Sequence, residues 1–311
     1  MRHPAPFLLE WVIPSSGVVA GAIIAYLVSR LVVRGAGGKL QRVNVDGQRV
    51  PAVLGWTIVA GALVGALVTF AYVLYENQVD RCPDEVKACE LILIHFPSNL
   101  AWLPLIPIIG MFIVGLWDDL RGDERPRGFG GHLAALRGGA ITGGMVKLAG
   151  GVIVALVTIF AIDGEIPPII DWVLLAAPIA LSANLVNLLD RAPGRALKFF
   201  LVCSLPMWFF VYDWRVFAAG TLGAAIGTLP FDIRARGMLG DAGANPLGAI
   251  LGLGIILSTL QLSDDRGSMR LLLGATILVL LGLNLASERW SFSAVIERTP
   301  WLARLDHLGR K

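Results

Sequence analysis

Charge is scarce in this chain. Asp, Glu, Lys and Arg make up 16% of the 311 residues, against about a quarter in ordinary soluble domains. A water-soluble domain of this length would need more polar surface than that. Cysteine is nearly missing, with three in all, which excludes a disulfide scaffold. Histidine is limited to His3, His95, His132 and His307, with no His-x-His pair. The 36 Gly and 17 Pro follow no collagen-like period. The formal net charge of +3 gives no ground for a nucleic-acid polymer as partner. What is present is apolar: 56% hydrophobic residues and a mean hydropathy of +0.71. These values define an all-α polytopic membrane protein, read as one domain over 1–311.

Long apolar runs alternate with short charged segments. A bilayer core about 30 Å thick takes about 20 apolar residues per helix. Nine spans are expected, at about 11–33, 52–75, 91–117, 138–162, 169–189, 198–212, 216–230, 243–262 and 270–287. Period-two alternation is absent and open sheet edges do not survive in lipid, so the spans are helices. Glu10 and the length of the first run favour a retained helix over a signal peptide.

Basic residues set the expected orientation. One face carries 19 of the 26, among them Arg30, Arg34, Lys39, Arg42 and Arg49, Arg191, Arg195 and Lys198, and Arg289, Arg298, Arg304, Arg310 and Lys311. The other face carries six, and Lys147 lies inside a span. The N-terminus is therefore expected outside and the C-terminus in the cytoplasm, with the chain in a plasma (inner) membrane. Cys82 and Cys89 share an outer loop, as a disulfide or as two thiols, and Cys203 is expected to be packing. Gly61-x-x-x-Gly65 and Gly248-x-x-x-Gly252 read as close helix contacts.

Polar residues at the membrane edge carry information because they are costly there. They gather on the basic face. The third span ends in Asp118-Asp119, and the fifth in Asn184-x-x-Asn187-x-x-Asp190. The loop after the seventh reads Met238-Leu-Gly240-Asp241-Ala-Gly243. Lys147 lies about 13 Å into the fourth span at 1.5 Å per residue. Singly, each has a structural reading: caps, interhelical amide bonds, a snorkelling lysine or a turn. Together, carboxylates and an amide are hard oxygen ligands of the kind Mg²⁺ takes, and Lys with Arg suits phosphate. That combination serves phosphoryl transfer, which depends on positioning and charge neutralisation.

These motifs resemble those of the polyprenyl-phosphate N-acetylhexosamine-1-phosphate transferases, the superfamily of phospho-N-acetylmuramoyl-pentapeptide transferase (MraY) and the WecA-type enzymes. Asn44-x-x-Gly47-x-x-x-Pro51, Gly115-Leu-Trp-Asp118-Asp119, Gly143-Gly-Met-Val-Lys147, Asn184-x-x-Asn187-Leu-Leu-Asp190 and Met238-Leu-Gly240-Asp241-Ala-Gly243 occur in the family's order. The resemblance implies transfer of a sugar-1-phosphate, in the first instance an N-acetylhexosamine-1-phosphate, from a UDP-sugar to polyprenyl (undecaprenyl) phosphate. UMP would leave, and the polyprenyl-diphospho-sugar would feed cell-envelope glycan synthesis. The implied cofactor is Mg²⁺, with Mn²⁺ as a substitute. By the same likeness, Asp241 binds the metal with Asn187 as second ligand. Lys147 holds the diphosphate, Asp118 and Asp119 orient or deprotonate the lipid phosphate, and Asn184 and Asp190 contribute to substrate binding. A homodimer is a family expectation.

The sequence also departs from the family. Gly122 stands where many relatives have Lys, and Pro193 where the pentapeptide enzymes have an acid. The His-rich loop before the last helix is missing. Arg289 or Arg298 is expected to supply its diphosphate contact. The usual tenth span is replaced by an amphipathic tail, 288–311, on the inner membrane surface. Two alternatives remain: a non-catalytic polyprenyl-phosphate-binding paralogue, which the departures favour, and a transporter, whose polar residues would lie at the midplane.

Overall fold

A computed structural model describes residues 5–35, 40–43, 47–79, 102–121, 143–163 and 168–310. Cys82 and Cys89 lie outside the described residues. Nine long helices are present among those described: α1 (Ala5–Gly35), α2 (Gly55–Val79), α3 (Leu105–Arg121), α4 (Gly143–Asp163), α5 (Ile169–Leu189), α6 (Arg195–Phe210), α7 (Tyr212–Asp232), α8 (Asp241–Leu262) and α9 (Arg266–Arg289). Two short helices, α10 (Phe292–Arg298) and α11 (Pro300–His307), close the chain.

Each long helix falls on one expected span, and among the described residues five have a stretch both long and apolar enough, by length and composition, to cross a membrane. These are Trp11–Gly35, Gly144–Ile162, Ile169–Leu189, Asp241–Leu262 and Arg266–Arg289. At 1.5 Å per residue, the 17 residues of α3 and 16 of α6 reach only about 25 Å. The run expected over 91–117 is helical from Leu105 to Arg121, and its first residues are not among those described. A small element was not anticipated. Strands β1 (Gln41–Val43) and β2 (Arg49–Pro51) pair antiparallel in the loop between α1 and α2.

α8 is the central helix. Its apolar stretch is 83% buried, against 17% for that of α9. Small residues make this close packing possible. Gly248 and Gly252 lie on the α5 backbone at Ser182–Ala183 and Pro178–Ile179, leaving no room for a Cβ. Gly61 and Gly65 meet Gly220 and Ala224 of α7 in the same way. The core includes Leu197, Phe200, Trp214, Leu247, Ile250 and Leu253. The Trp214 indole N–H donates to the Ile250 carbonyl at 3.0 Å. Outward, large apolar side chains such as Phe210 and Leu271 stand about three-quarters exposed. A surface of that kind belongs in a lipid environment.

The two ends of the bundle are chemically distinct. At one end, Arg270 of α9 forms a two-point ion pair with the buried Asp171 at the start of α5, 2.6 and 3.0 Å. There too, Arg215 stacks 3.7 Å over the Trp11 ring and donates to the Trp208 carbonyl at 2.7 Å. The other end collects the C-termini of α3, α5 and α7 and the N-termini of α4, α6 and α8. The tail packs at that end. Arg195 at the start of α6 holds Asp306 of α11 through Nε–Oδ1 at 2.9 Å and a second nitrogen to Oδ2 at 2.8 Å. Arg310 adds a 2.7 Å ion pair to the same carboxylate. Trp301, Leu305 and Leu308 remain exposed on the tail.

Candidate functional site

Four helix ends bring their polar side chains to one point. The Lys147 ammonium, on the first turns of α4, pairs with the Asp241 carboxylate at the start of α8. It also donates to the Asn187 side-chain oxygen of α5 at 3.2 Å. The Asn187 amide donates in turn to Asp241 Oδ1 at 2.6 Å. Asp118, near the end of α3, hydrogen-bonds with the Asp241 side chain. Four residues from four helices, up to 123 positions apart, thus meet at one end of the bundle.

The loop that carries Asp241 is held by carboxylates. Gly240 takes a positive φ of 68°, which an L side chain rarely adopts, and a Cβ there would strike the Asp119 carboxylate. With no side chain of its own at that position, α8 is capped from outside. Asp119 of α3 accepts from the N–H of Asp241 at 3.2 Å and of Ala242 at 3.0 Å. A carboxylate on these first free N–H groups also meets the positive end of the helix dipole. Asp190, just past α5, accepts from the Gly240 N–H. The buried Asp232 accepts from Gly194 at 2.9 Å and from Leu239. The hairpin joins the same loop: Met238 N–H donates to the Pro51 carbonyl at 2.9 Å, and Leu54 N–H to the Met238 carbonyl at 3.1 Å. Arg42 of β1 donates to the Asp119 carbonyl, closing the end of α3. Gly115 lets α3 approach so near that a Cβ would meet the Asp241 carbonyl.

The electrostatic character follows. Asp118, Asp119, Asp190, Asp232 and Asp241 converge, while Lys147 is the cation in direct contact with Asp241. Burial first, then the neighbouring carboxylates of Asp232, Asp241 and Asp119, push the Asp190 carboxyl well above its ordinary range. The Asp241 and Asn187 oxygens that hold the ammonium are hard donors, and the cluster has more carboxylate than cation to balance it. A divalent cation with oxygen preference fits that donor set.

The structure brings together Asp118, Asp119, Lys147, Asn187, Asp190 and Asp241. It sets three expected residues apart. Asn184 pairs with Asn284 of α9 at 2.7 Å instead of joining the cluster. Arg289 and Arg298 end α9 and α10, both exposed, and no hydrogen bond among the described residues ties them to it. Sequence reasoning missed Asp232, Arg42 and the Arg195–Asp306 latch. Asp232 ends an apolar helix next to the Gly-Asp loop, a position that signals a role, but the partners of Arg42 and Arg195 lie 77 and 111 residues away. Glu297, Asp306 and His307 also cluster, but both Asp306 oxygens are taken by guanidinium groups, so this trio is a latch.

A helical membrane protein with a carboxylate-rich site built around one lysine at one end of its bundle is the class these features define. The family model described as glycosyl transferase family 4 matches residues 101–259, and the chain belongs to that family, which holds the MraY- and WecA-like polyprenyl-phosphate hexosamine-1-phosphate transferases. The match covers the second through fifth motifs and most of α8, the elements that build the cluster. The chain is accordingly a membrane-embedded sugar-phosphate transferase in its general activity. A comparison with curated proteins found no match.

Proposed function

We propose that this protein transfers a sugar-1-phosphate from a UDP-sugar, an N-acetylhexosamine nucleotide in the first instance, to polyprenyl phosphate, releasing UMP. In this reading nine helices cross a plasma membrane, the N-terminus lies outside, and the cluster faces the cytoplasm. The observation that carries the proposal is the convergence of Lys147, Asn187 and Asp241 beside Asp118 and Asp119.

Two polyanions must approach each other, so the cost is charge repulsion and misalignment. An oxygen of the lipid phosphate attacks the phosphorus that bears the sugar, and the bond from that phosphorus to the UMP oxygen breaks. Lys147 serves the diphosphate, because its ammonium is presented from a helix end and held by oxygens that can release it to a stronger anion. Asp241 and Asn187 would hold Mg²⁺, which when bound screens phosphate charge and polarises the scissile phosphoryl group. Asp118 orients the lipid phosphate or takes its proton. Asp119 positions Asp241 through the α8 backbone, and Asp190 supports the same loop and the nucleotide side of the pocket. A bilayer lipid substrate agrees with the apolar surface around the bundle.

The test is purified protein with undecaprenyl phosphate, Mg²⁺ and a panel of UDP-sugars, with UMP as the readout. Release that depends on lipid and metal, and that falls by at least about a hundredfold in Asp241→Asn, supports the reading. No release with any sugar, or equal release by Asp241→Asn, overturns it. Lipid phosphate binding without turnover would identify the non-catalytic paralogue.

A further inference from the structure

A second charged recess lies away from the cluster, between α1 and the turn after α7. It encloses about 360 Å³ and is lined by Tyr26, Arg30, Val33, Arg34, Phe231 and Arg236. None of its lining residues comes from α3, α4 or α5. All three arginines are exposed, and none has a carboxylate partner among the described residues. Unpaired guanidinium groups converging on one recess favour an anion, and their forked donors suit phosphate.

The recess is built, not incidental. Arg30 and Arg34 are one helical turn apart on α1, so both reach the same side. Arg236 is placed by a strained turn. Ala235 takes φ 51°, and the N–H groups of Ala235 and Arg236 return to the carbonyls of Asp232 and Phe231 at 2.8 and 3.0 Å. This is the helix-ending motif that normally uses glycine at the left-handed position. Tyr26 and Phe231 pack ring to ring, 5.3 Å between centroids, forming an apolar floor.

The surface next to it is apolar. Val19, Ile23, Leu27 and Leu31 follow one another at four-residue spacing on α1, each about half to two-thirds exposed. The stripe leads from the arginines towards the middle of the helix. A phosphate-sized anion recess at the helix end with an apolar track beside it has the chemistry of one amphiphile.

We propose that Arg30, Arg34 and Arg236 bind the phosphate headgroup of an anionic bilayer phospholipid whose acyl chains lie along the Val19–Leu31 stripe. The site is distinct from the Lys147–Asp241 cluster and does not depend on the transfer reaction. A soluble phosphate shares the headgroup chemistry but not the stripe.

The test uses the full-length chain in detergent and native mass spectrometry. It is titrated with phosphatidylglycerol or phosphatidylcholine, with inorganic phosphate and glycerol phosphate as separate competitors. The wild type is expected to retain phosphatidylglycerol preferentially. Affinity should fall roughly fivefold for each arginine removed, so that Arg30→Gln, Arg34→Gln, Arg236→Gln together lose the preference. Arg30→Lys, Arg34→Lys, Arg236→Lys together, which keep the charge and test for general damage, should retain most of it. Neither soluble competitor should displace the lipid at equal concentration. Equal binding of both lipids, an undiminished preference in the glutamine variant, or displacement by the soluble phosphates would overturn the proposal. So would a dimer carrying no lipid adduct, which would assign the recess to a second copy of the chain.

Discussion

Removing Asp119 should damage the structure as well as any chemistry, because its carboxylate caps a helix in a different part of the chain. Asp119→Ala strips the acceptors from the Asp241 and Ala242 N–H groups, now 3.2 and 3.0 Å from the two oxygens. A lost N-cap typically costs about 1 kcal/mol, within a range of about 0.5–2. Here two partly buried donors lose a charged acceptor, and each bare group costs about 1–3 kcal/mol. The expected loss is about 2–4 kcal/mol. Asp119→Asn keeps one carbonyl oxygen for one of the donors and loses the charge, so about 1–2 kcal/mol is expected. For a chain of this size, about 2 °C of midpoint shift per kcal/mol is expected. The alanine variant should then melt about 4–8 °C below wild type and the asparagine variant about half that. The assay is thermal unfolding of detergent-solubilised protein at one fixed scan rate. Amide exchange at the start of α8 gives a local readout. Equal melting of wild type and alanine variant, with unchanged exchange at Asp241 and Ala242, would refute the capping argument. Asp119 would then act on substrate alone.

Four further outcomes follow from the packing. Arg195→Ala leaves Asp306 buried beside Arg310 alone and should cost about 3 kcal/mol, whereas Arg195→Leu with Asp306→Leu should recover most of it in a double-mutant cycle. Burial works to raise the Asp306 carboxyl, but the Arg195 hydrogen bond and the charges of Arg195 and Arg310 outweigh it and hold the group below its ordinary 3.8. A depressed folded value contributes stability that is complete above pH 3.8 and disappears as pH falls through the folded value. Limited proteolysis of the tail should therefore stay flat from pH 8 to 5 and rise only below about 4. Ala235→Gly should stabilise the protein by about 1 kcal/mol by relieving the left-handed alanine, and an unchanged melting midpoint would count against the strain. Gly248→Val forces a side chain into the α5 backbone at Ser182–Ala183 and should cost about 2–3 kcal/mol or block folding, seen as loss of monodisperse protein on size exclusion.

The class of protein was legible from composition because lipid imposes it: 16% charge cannot solvate 311 residues. The helix positions followed from run length, as α5, expected at 169–189 and found as Ile169–Leu189. The glycine pairs at 61–65 and 248–252 read correctly because only close backbone approach makes such spacing useful. Candidate acids, amides and Lys147 were also visible, since polar groups at a membrane edge stand out against an apolar background.

Only tertiary structure divided those residues by role. Asn184 and Asn187 sit three apart on one helix and look equivalent, yet one meets Asn284 and the other Lys147 and Asp241. Asp118 and Asp119 are adjacent, and a 100° turn between them aims one carboxylate at the Asp241 side chain and the other at its backbone. The docking of hairpin β1–β2 on Met238, the Arg195–Asp306 latch and the arginine recess depend on partners more than a hundred residues away. Spacing within a helix determines which face a side chain occupies. Which neighbour that face meets is decided by how the helices pack.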